Sequence, residues 1–198
     1  PEEKDAVVYE LNRFLAVPVD VEDINLSLLQ RFPYASLRFS KLSIPAIVEG
    51  QVQIDTLLYI EDLYLQIGLL DFLQQRYRVS EAEINEAYFN MKVDAKGRTN
   101  YVFWKTYKNE KEAPELSLEN IEFNEVSYSL ENSDKLLLDI DFNKAKASGN
   151  FGERVFKIAL QSEADITTGQ NKTDLLYENL SLNGKSEISL NLDLNTYQ

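Results

Sequence analysis

The sequence predicts a mainly β protein: a strongly curved antiparallel sheet forming a groove or a partly closed β-sandwich, with an N-terminal α-helix and one short internal helix. Three observations predict it. Most of the chain alternates apolar and polar residues two apart, the period of a half-buried strand. Gly, Asn, Asp and Pro residues punctuate these runs where turns are needed. One six-residue phrase also occurs four times, as Val21-Glu22-Asp23-Ile24-Asn25-Leu26, Ile60-Glu61-Asp62-Leu63-Tyr64-Leu65, Leu118-Glu119-Asn120-Ile121-Glu122-Phe123 and Tyr177-Glu178-Asn179-Leu180-Ser181-Leu182. In each copy a three-residue step between apolar positions precedes a two-residue step, so the alternation slips by one. A β-bulge explains the slip, since one extra residue bends the strand and leaves two polar side chains in solvent. The copies are too irregularly spaced for a solenoid, and they read as similar bent strands recurring in one sheet.

Taken in order, residues 5–16 form a helix, with Val7, Val8, Leu11, Phe14 and Leu15 on one stripe and Glu2, Glu3 and Asp5 at the positive end of its dipole. Pro18 ends it, and the period becomes two at Ile24, Leu26 and Leu28. Phe32-Pro33 is extended or turning, because a residue before proline avoids the helical region. Leu37, Phe39, Leu42 and Ile44 give another strand with a one-residue slip. Residues 51–54 and 58–67 read as two strands, 69–76 as the short internal helix, 84–93 as a strand and Lys96-Gly97 as a turn. The aromatic stretch 101–108 reads as a packed strand, and 109–115 as a charged, mobile loop. Strands over 116–130 and 136–142 are joined by a turn at Asn132-Ser133-Asp134. Residues 145–152 read as a loop, 155–166 as a strand, 168–171 as a turn and Asn183-Gly184 as a hairpin turn. The total is about ten strands and two helices, in one domain over 1–198.

Composition narrows the chemistry. There are 198 residues, enough for one sizeable core at 44% hydrophobic content. Histidine and cysteine are both absent, which removes the commonest general base, the commonest zinc ligands, the thiol nucleophile and disulfides. Lys and Arg total 20 against 33 Asp and Glu, for a formal charge of −13. Such a surface opposes nucleic acid, whose binding needs a basic face, and it repels anionic membrane surfaces. No apolar run is long enough to span a bilayer. The chain begins at Pro1 without an initiator Met and reads as a piece excised from a longer protein. The N-x-S/T triplets at Asn25, Asn171 and Asn179 fall among asparagine-rich turns and read as chance.

Ile24-Asn25-Leu26-Ser27-Leu28 followed by Arg31-Phe32-Pro33-Tyr34-Ala35-Ser36-Leu37 resembles the start of the periplasmic part of AsmA-like proteins. Further matches follow in the same order: Glu61-Asp62-Leu63-Tyr64-Leu65 with a leucine-rich segment after it, Gly97-Arg98-Thr99-Asn100-Tyr101, a charged linker, Ile121-Glu122-Phe123, and Tyr128. The ordered set spans roughly residues 6–142, and it is weaker beyond. Tyr101 stands where the family more often has Trp, and the family's N-terminal anchor has no counterpart here. AsmA-like proteins belong to the wider group of bridge-like lipid transfer proteins, with TamB and the chorein-type proteins. The resemblance implies a periplasmic protein, anchored to the inner membrane, that moves phospholipid or maintains the outer membrane.

Independently of that likeness, ten strands spaced about 4.8 Å apart would make a sheet on the order of 48 Å wide. Two helices about 10 Å across would cover less than half of it. The uncovered area and the resemblance together give an expected acyl-chain face of Ile24, Leu26, Leu63, Leu65, Ile121, Phe123, Leu180 and Leu182, with phospholipid acyl chains as partner, envelope proteins as further partners, and no cofactor or metal. The competing expectation is a non-enzymatic structural or interaction module whose core fills itself. Catalysis has one weak candidate, the paired carboxylates of Asp139-Ile140-Asp141, an arrangement usable by a metal site or an acid/base pair. Alternation on a solvated strand explains it equally well, and the chain is read as not an enzyme.

Overall fold

A computed structural model describes residues 12, 15–31, 34–68, 78–102, 117–133, 135–149 and 155–191. Within them the chain forms one eight-stranded sheet, in sequence order: β1 (Asp20–Arg31), β2 (Tyr34–Val48), β3 (Gln51–Gly68), β4 (Arg78–Val93), β5 (Ser117–Asn132), β6 (Leu136–Gly149), β7 (Val155–Asn171) and β8 (Asp174–Asn191). Neighbours in sequence are neighbours in space, and β1 and β8 are the two edges, so the sheet does not close. All pairs are antiparallel except β4 with β5, which run parallel from Arg78↔Ser117 to Val93↔Asn132. The sheet is therefore mixed rather than wholly antiparallel. The physical reason is the long connection over 94–116, which returns the chain to the end where β4 began; a short turn would have forced antiparallel pairing.

Six strands carry the slip in apolar spacing, and the six slips lie side by side. They are Val21 to Ile24, Phe39 to Leu42, Ile60 to Leu63, Ile84 to Ala87, Phe123 to Val126 and Phe142 to Ala145. One flanking row pairs laterally as Val21↔Leu42↔Ile60↔Ala87↔Val126↔Phe142, and the other as Ile24↔Phe39↔Leu63↔Ile84↔Phe123↔Ala145. Between the rows, Lys41, Glu86 and Glu125 take left-handed φ values of 51°, 52° and 55°. Each extra residue on β1 to β5 is matched by one on its neighbour, so the register passes through unshifted. The expected bulge is thus a collective crease, and apolar residues on both sides of it keep to one face. The third phrase forms no bulge at Glu119-Asn120, because Asn120 pairs in register with Ser148; the slip of β5 sits at Asn124-Glu125 instead. At the far side the crease becomes a true bulge, where Asn143 is extra against β7, and Asn179 of β8 takes φ 51° beside another register shift.

Several expected boundaries differ. Residues 51–54 and 58–67 are one strand, β3, which passes a register shift opposite Pro45 instead of breaking. Ala145 to Gly149 belong to β6, since β7 pairs with them through Gly149↔Ile158 and no loop is needed. Asn183-Gly184 does not turn: β8 runs straight through it, pairing Asn183 with Glu163 and Gly184 with Ser162. The β7 partner strand overrides the local turn preference. The preceding turn lies at 171–174, where Asn171 Oδ1 accepts from the Thr173 and Asp174 amides at 3.0 and 3.1 Å. The expected turn after Asn132 is present at Ser133 and Lys135, where Lys135 N donates to Asn132 O at 2.8 Å; Asp134 lies outside the described residues. The expected helices over 5–16 and 69–76, and the charged loop over 109–115, lie almost wholly outside the described residues.

One end of the sheet carries an extra link. Beyond Leu58↔Phe89, β4 parts from β3; Val93 pairs with Thr99, and Tyr101 bridges in parallel to Ile47 of β2. Asn100, only 6% exposed, ties the two together: its Oδ1 accepts from Lys92 N at 2.7 Å, its Nδ2 donates to Asn90 O at 2.9 Å, and its carbonyl accepts from Ile47 N at 3.0 Å. The backbone pairing β2–β3–β4–segment 99–101–β2 thereby closes a ring at this end. The turn that leads into it is set by Gly97 at φ 78° and by Asp94 Oδ1, which accepts from the Lys96 and Arg98 amides at 2.8 and 2.9 Å.

Candidate ligand-binding face

Pairing register places all eight expected residues on one face. Leu26, Leu65 and Ile121 share a lateral row with Leu37, Ala82, Ala147 and Leu160; Ile24, Leu63 and Phe123 share the row beside the crease. Leu182 and Leu180 lie across the crease, in rows with Ala164 and Phe142 and with Ile166 and Ile140. The same face carries residues the repeated phrase does not reach: Leu58, Phe89, Tyr128, Ile140 and Ile166 in one row. Aromatic rings stack along it, Phe89 on Tyr128 at 6.2 Å and Phe123 on Phe142 at 6.4 Å. Burial here pushes the Tyr128 hydroxyl above the ordinary tyrosine range.

Burial on this face is uneven. A core cluster gathers Val17, Val19, Val21, Phe39, Leu42, Ile44, Ala46, Ile47, Leu57 and Ile60 with Ala87 and Val126, and Phe39 and Leu57 are fully enclosed. Ile24, Leu63, Leu65 and Phe123 are half-buried against it. Leu26 at the β1 edge and Leu180 at the β8 edge are each 44% exposed, and Leu182 is 47% exposed. Extensive strand contacts run only between sequence neighbours, so among the described residues no second sheet layer lies on this face.

The opposite face is polar. Arg38 donates from Nε and Nη2 to the two Asp62 carboxylate oxygens at 2.8 and 2.9 Å, and its guanidinium lies 5.6 Å from the Tyr64 ring centre. Tyr59 stacks on Tyr88 at 5.5 Å and donates to Glu61, which pushes its pKa up to about 12. Lys146 pairs with Glu122 and Lys41 with Glu22. Asp139 and Asp141 accept from the Ser129 and Ser127 hydroxyls, each at 2.6 Å, and so serve as cross-strand partners of β5. Among the described residues no cluster of three acids is placed to hold a metal. A hollow of about 530 Å³ is bordered by Glu81, Glu122, Lys146, Gln161 and Lys185, and also by Ile121, Ala147 and Leu160. Its charges face one another, which does not suit a hydrocarbon. No described helix is long and apolar enough to cross a membrane. No protein-family model, curated protein or solved structure matches the chain.

Proposed function

We propose that this protein holds lipid acyl chains along its apolar sheet face and aids phospholipid transport or outer-membrane biogenesis, as an AsmA-like protein of the periplasm anchored to the inner membrane. One observation carries the reading: eight strands present a continuous apolar face whose outer rows stay half exposed, without a second layer among the described residues. The crease supports a trough shape. Extra left-handed residues bend strands, and Val21, Phe39, Leu42, Ile60, Ala87, Val126 and Ala145, which flank it, are all at most 9% exposed, as expected at the bottom of a fold toward that face. Each methylene taken out of water contributes about 0.8 kcal/mol, so a dozen offer about 10 kcal/mol before ordering costs. The ordered sequence matches to AsmA-like proteins supply the compartment and the direction of the proposal.

A second reading, a self-packed interaction module, is favoured by the full enclosure of Phe39 and Leu57. Native mass spectrometry of protein purified without detergent separates the two. Bound phospholipid, lost in Leu180→Asp/Leu182→Asp protein that keeps its β-sheet circular dichroism, is the expected result. Lipid-free protein that takes up no added phospholipid and unfolds on Leu65→Asp would establish the module instead.

A further inference from the structure

We propose that the apolar trough is blind at its β2–β4 end and that acyl chains occupy the β5–β8 half, entering past β8; this deepens the lipid-holding reading and rests on it. The ring β2–β3–β4–segment 99–101 encircles the Ile44 to Ile47 end of β2 with backbone hydrogen bonds, so nothing can slide out between β2 and β4 without breaking them. On its apolar side Leu42, Ile44, Ala46, Ile47, Leu57 and Ile60 are buried, with Tyr101 and Met91 packed against them; the hollow of about 400 Å³ that remains between these elements is bordered by Ala46, Val48 and Ile54 but also by Asp55, Lys92, Asp94 and Arg98, whose charges do not suit a hydrocarbon. Close-packed side chains leave no passage for a methylene chain.

The other half is different. On β5 to β8 the face offers Phe123, Tyr128, Ile140, Phe142 and Ile166, none of them buried, and ends in Leu180 and Leu182. Four strands, each taking up about 4.8 Å across the sheet, make this half about 19 Å wide. A sixteen-carbon chain has fifteen bonds that each advance about 1.25 Å, the projection of a C–C bond of about 1.52 Å, and is also about 19 Å long. The occupant is mainly hydrocarbon along that length, because apart from Ser162 and the Tyr128 hydroxyl the rows flanking the crease offer it apolar side chains and ring faces; an extended peptide would leave most of its amides unpaired. A chain with 33 acids against 20 bases also disfavours an anionic headgroup at the rim, so a zwitterionic diacyl phospholipid fits best.

The test uses protein with labelled Ile, Leu and Val methyl groups and phosphatidylcholine bearing a nitroxide near the end of one acyl chain. Paramagnetic broadening is expected at Ile140, Ile166, Leu180 and Leu182 and absent at Leu42, Ile44 and Ile60. In parallel, Leu182→Arg should weaken phosphatidylcholine uptake about tenfold, whereas Val52→Arg, at an exposed position beside the closed end, should change it less than about twofold. Both residues are exposed enough for the variants to fold. Bound lipid with broadening at Ile44 and Ile60, or equal losses in the two variants, would overturn the blind end and leave lipid holding intact. Failure to bind the probe at all would overturn both.

Discussion

Replacing Glu86 tests whether the crease is held by backbone conformation. Glu86 sits at φ 52° on an exposed position of β4, flanked laterally by the crease residues Glu61 and Glu125. A non-glycine residue held in the left-handed region costs about 1–2 kcal/mol, and the greater unfolded freedom of glycine takes back about 0.4–1 kcal/mol of the relief. Losing a carboxylate between two others adds a small, salt-screened gain. Glu86→Gly is therefore expected to stabilise by about 0.5–1 kcal/mol, against the usual rule that glycine weakens a strand. Glu86→Val, β-branched and ill suited to positive φ, should destabilise by about 1–2 kcal/mol. The two variants should then differ by roughly 2 kcal/mol, or about 4–8 °C in melting temperature for a chain of this size. Urea unfolding gives the free energies, and Glu131, an exposed β5 residue not in the left-handed region, is the control at which valine should outrank glycine. The same ranking at both positions would refute the argument.

Two further outcomes follow from burial and charge. Phe39→Ala, at a site 1% exposed, should cost about 3–5 kcal/mol, whereas Leu182→Ala, at a site 47% exposed, should cost about 1 kcal/mol or less; equal costs in urea unfolding would contradict the division into packed and open halves. The Asp94 carboxyl is held below its ordinary value chiefly by the Arg98 amide, and also by the Arg98 side chain and the Lys96 amide, against the opposing effect of desolvation. A lowered folded value means the contribution is complete above the unfolded value of about 4 and is lost as pH falls through the folded one, so Asp94→Asn should flatten the decline of melting temperature below about pH 4. An unchanged acid limb in thermal melts would count against that assignment.

Alternation made the strands legible, and the slips at Val21 to Ile24, Phe39 to Leu42 and Ile60 to Leu63 could be read directly from the sequence. The slips at Ile84, Phe123 and Phe142 follow the same rule, an apolar residue, two polar ones and another apolar one, but there the polar pair is Asn-Glu or Asn-Lys. A search for a fixed Glu-Asp phrase therefore passes over them, and in β5 it settles on the wrong pair. Pairing was less legible. Asn183-Gly184 has the composition of a turn, yet fifteen paired positions with β7 hold it extended, a tertiary effect no local window contains. The parallel β4–β5 pair depends on the path of a long connection, on which composition is silent. The candidate face was recoverable because side-chain parity survives the crease; its partners Phe89, Ile140 and Ile166 needed the register between strands.

The single parallel seam has a consequence for how the molecule comes together. Every other junction is a hairpin whose two strands lie close in the chain, so β1 to β4 can zip up successively while the rest is still emerging from the ribosome, and β5 to β8 can do likewise. Only the β4–β5 seam must wait for two finished meanders to meet, because its strands are far apart in the chain. That places the slow step of assembly at the middle of the sheet, and it makes the segment between those strands the natural place to divide the chain into two fragments that reassociate.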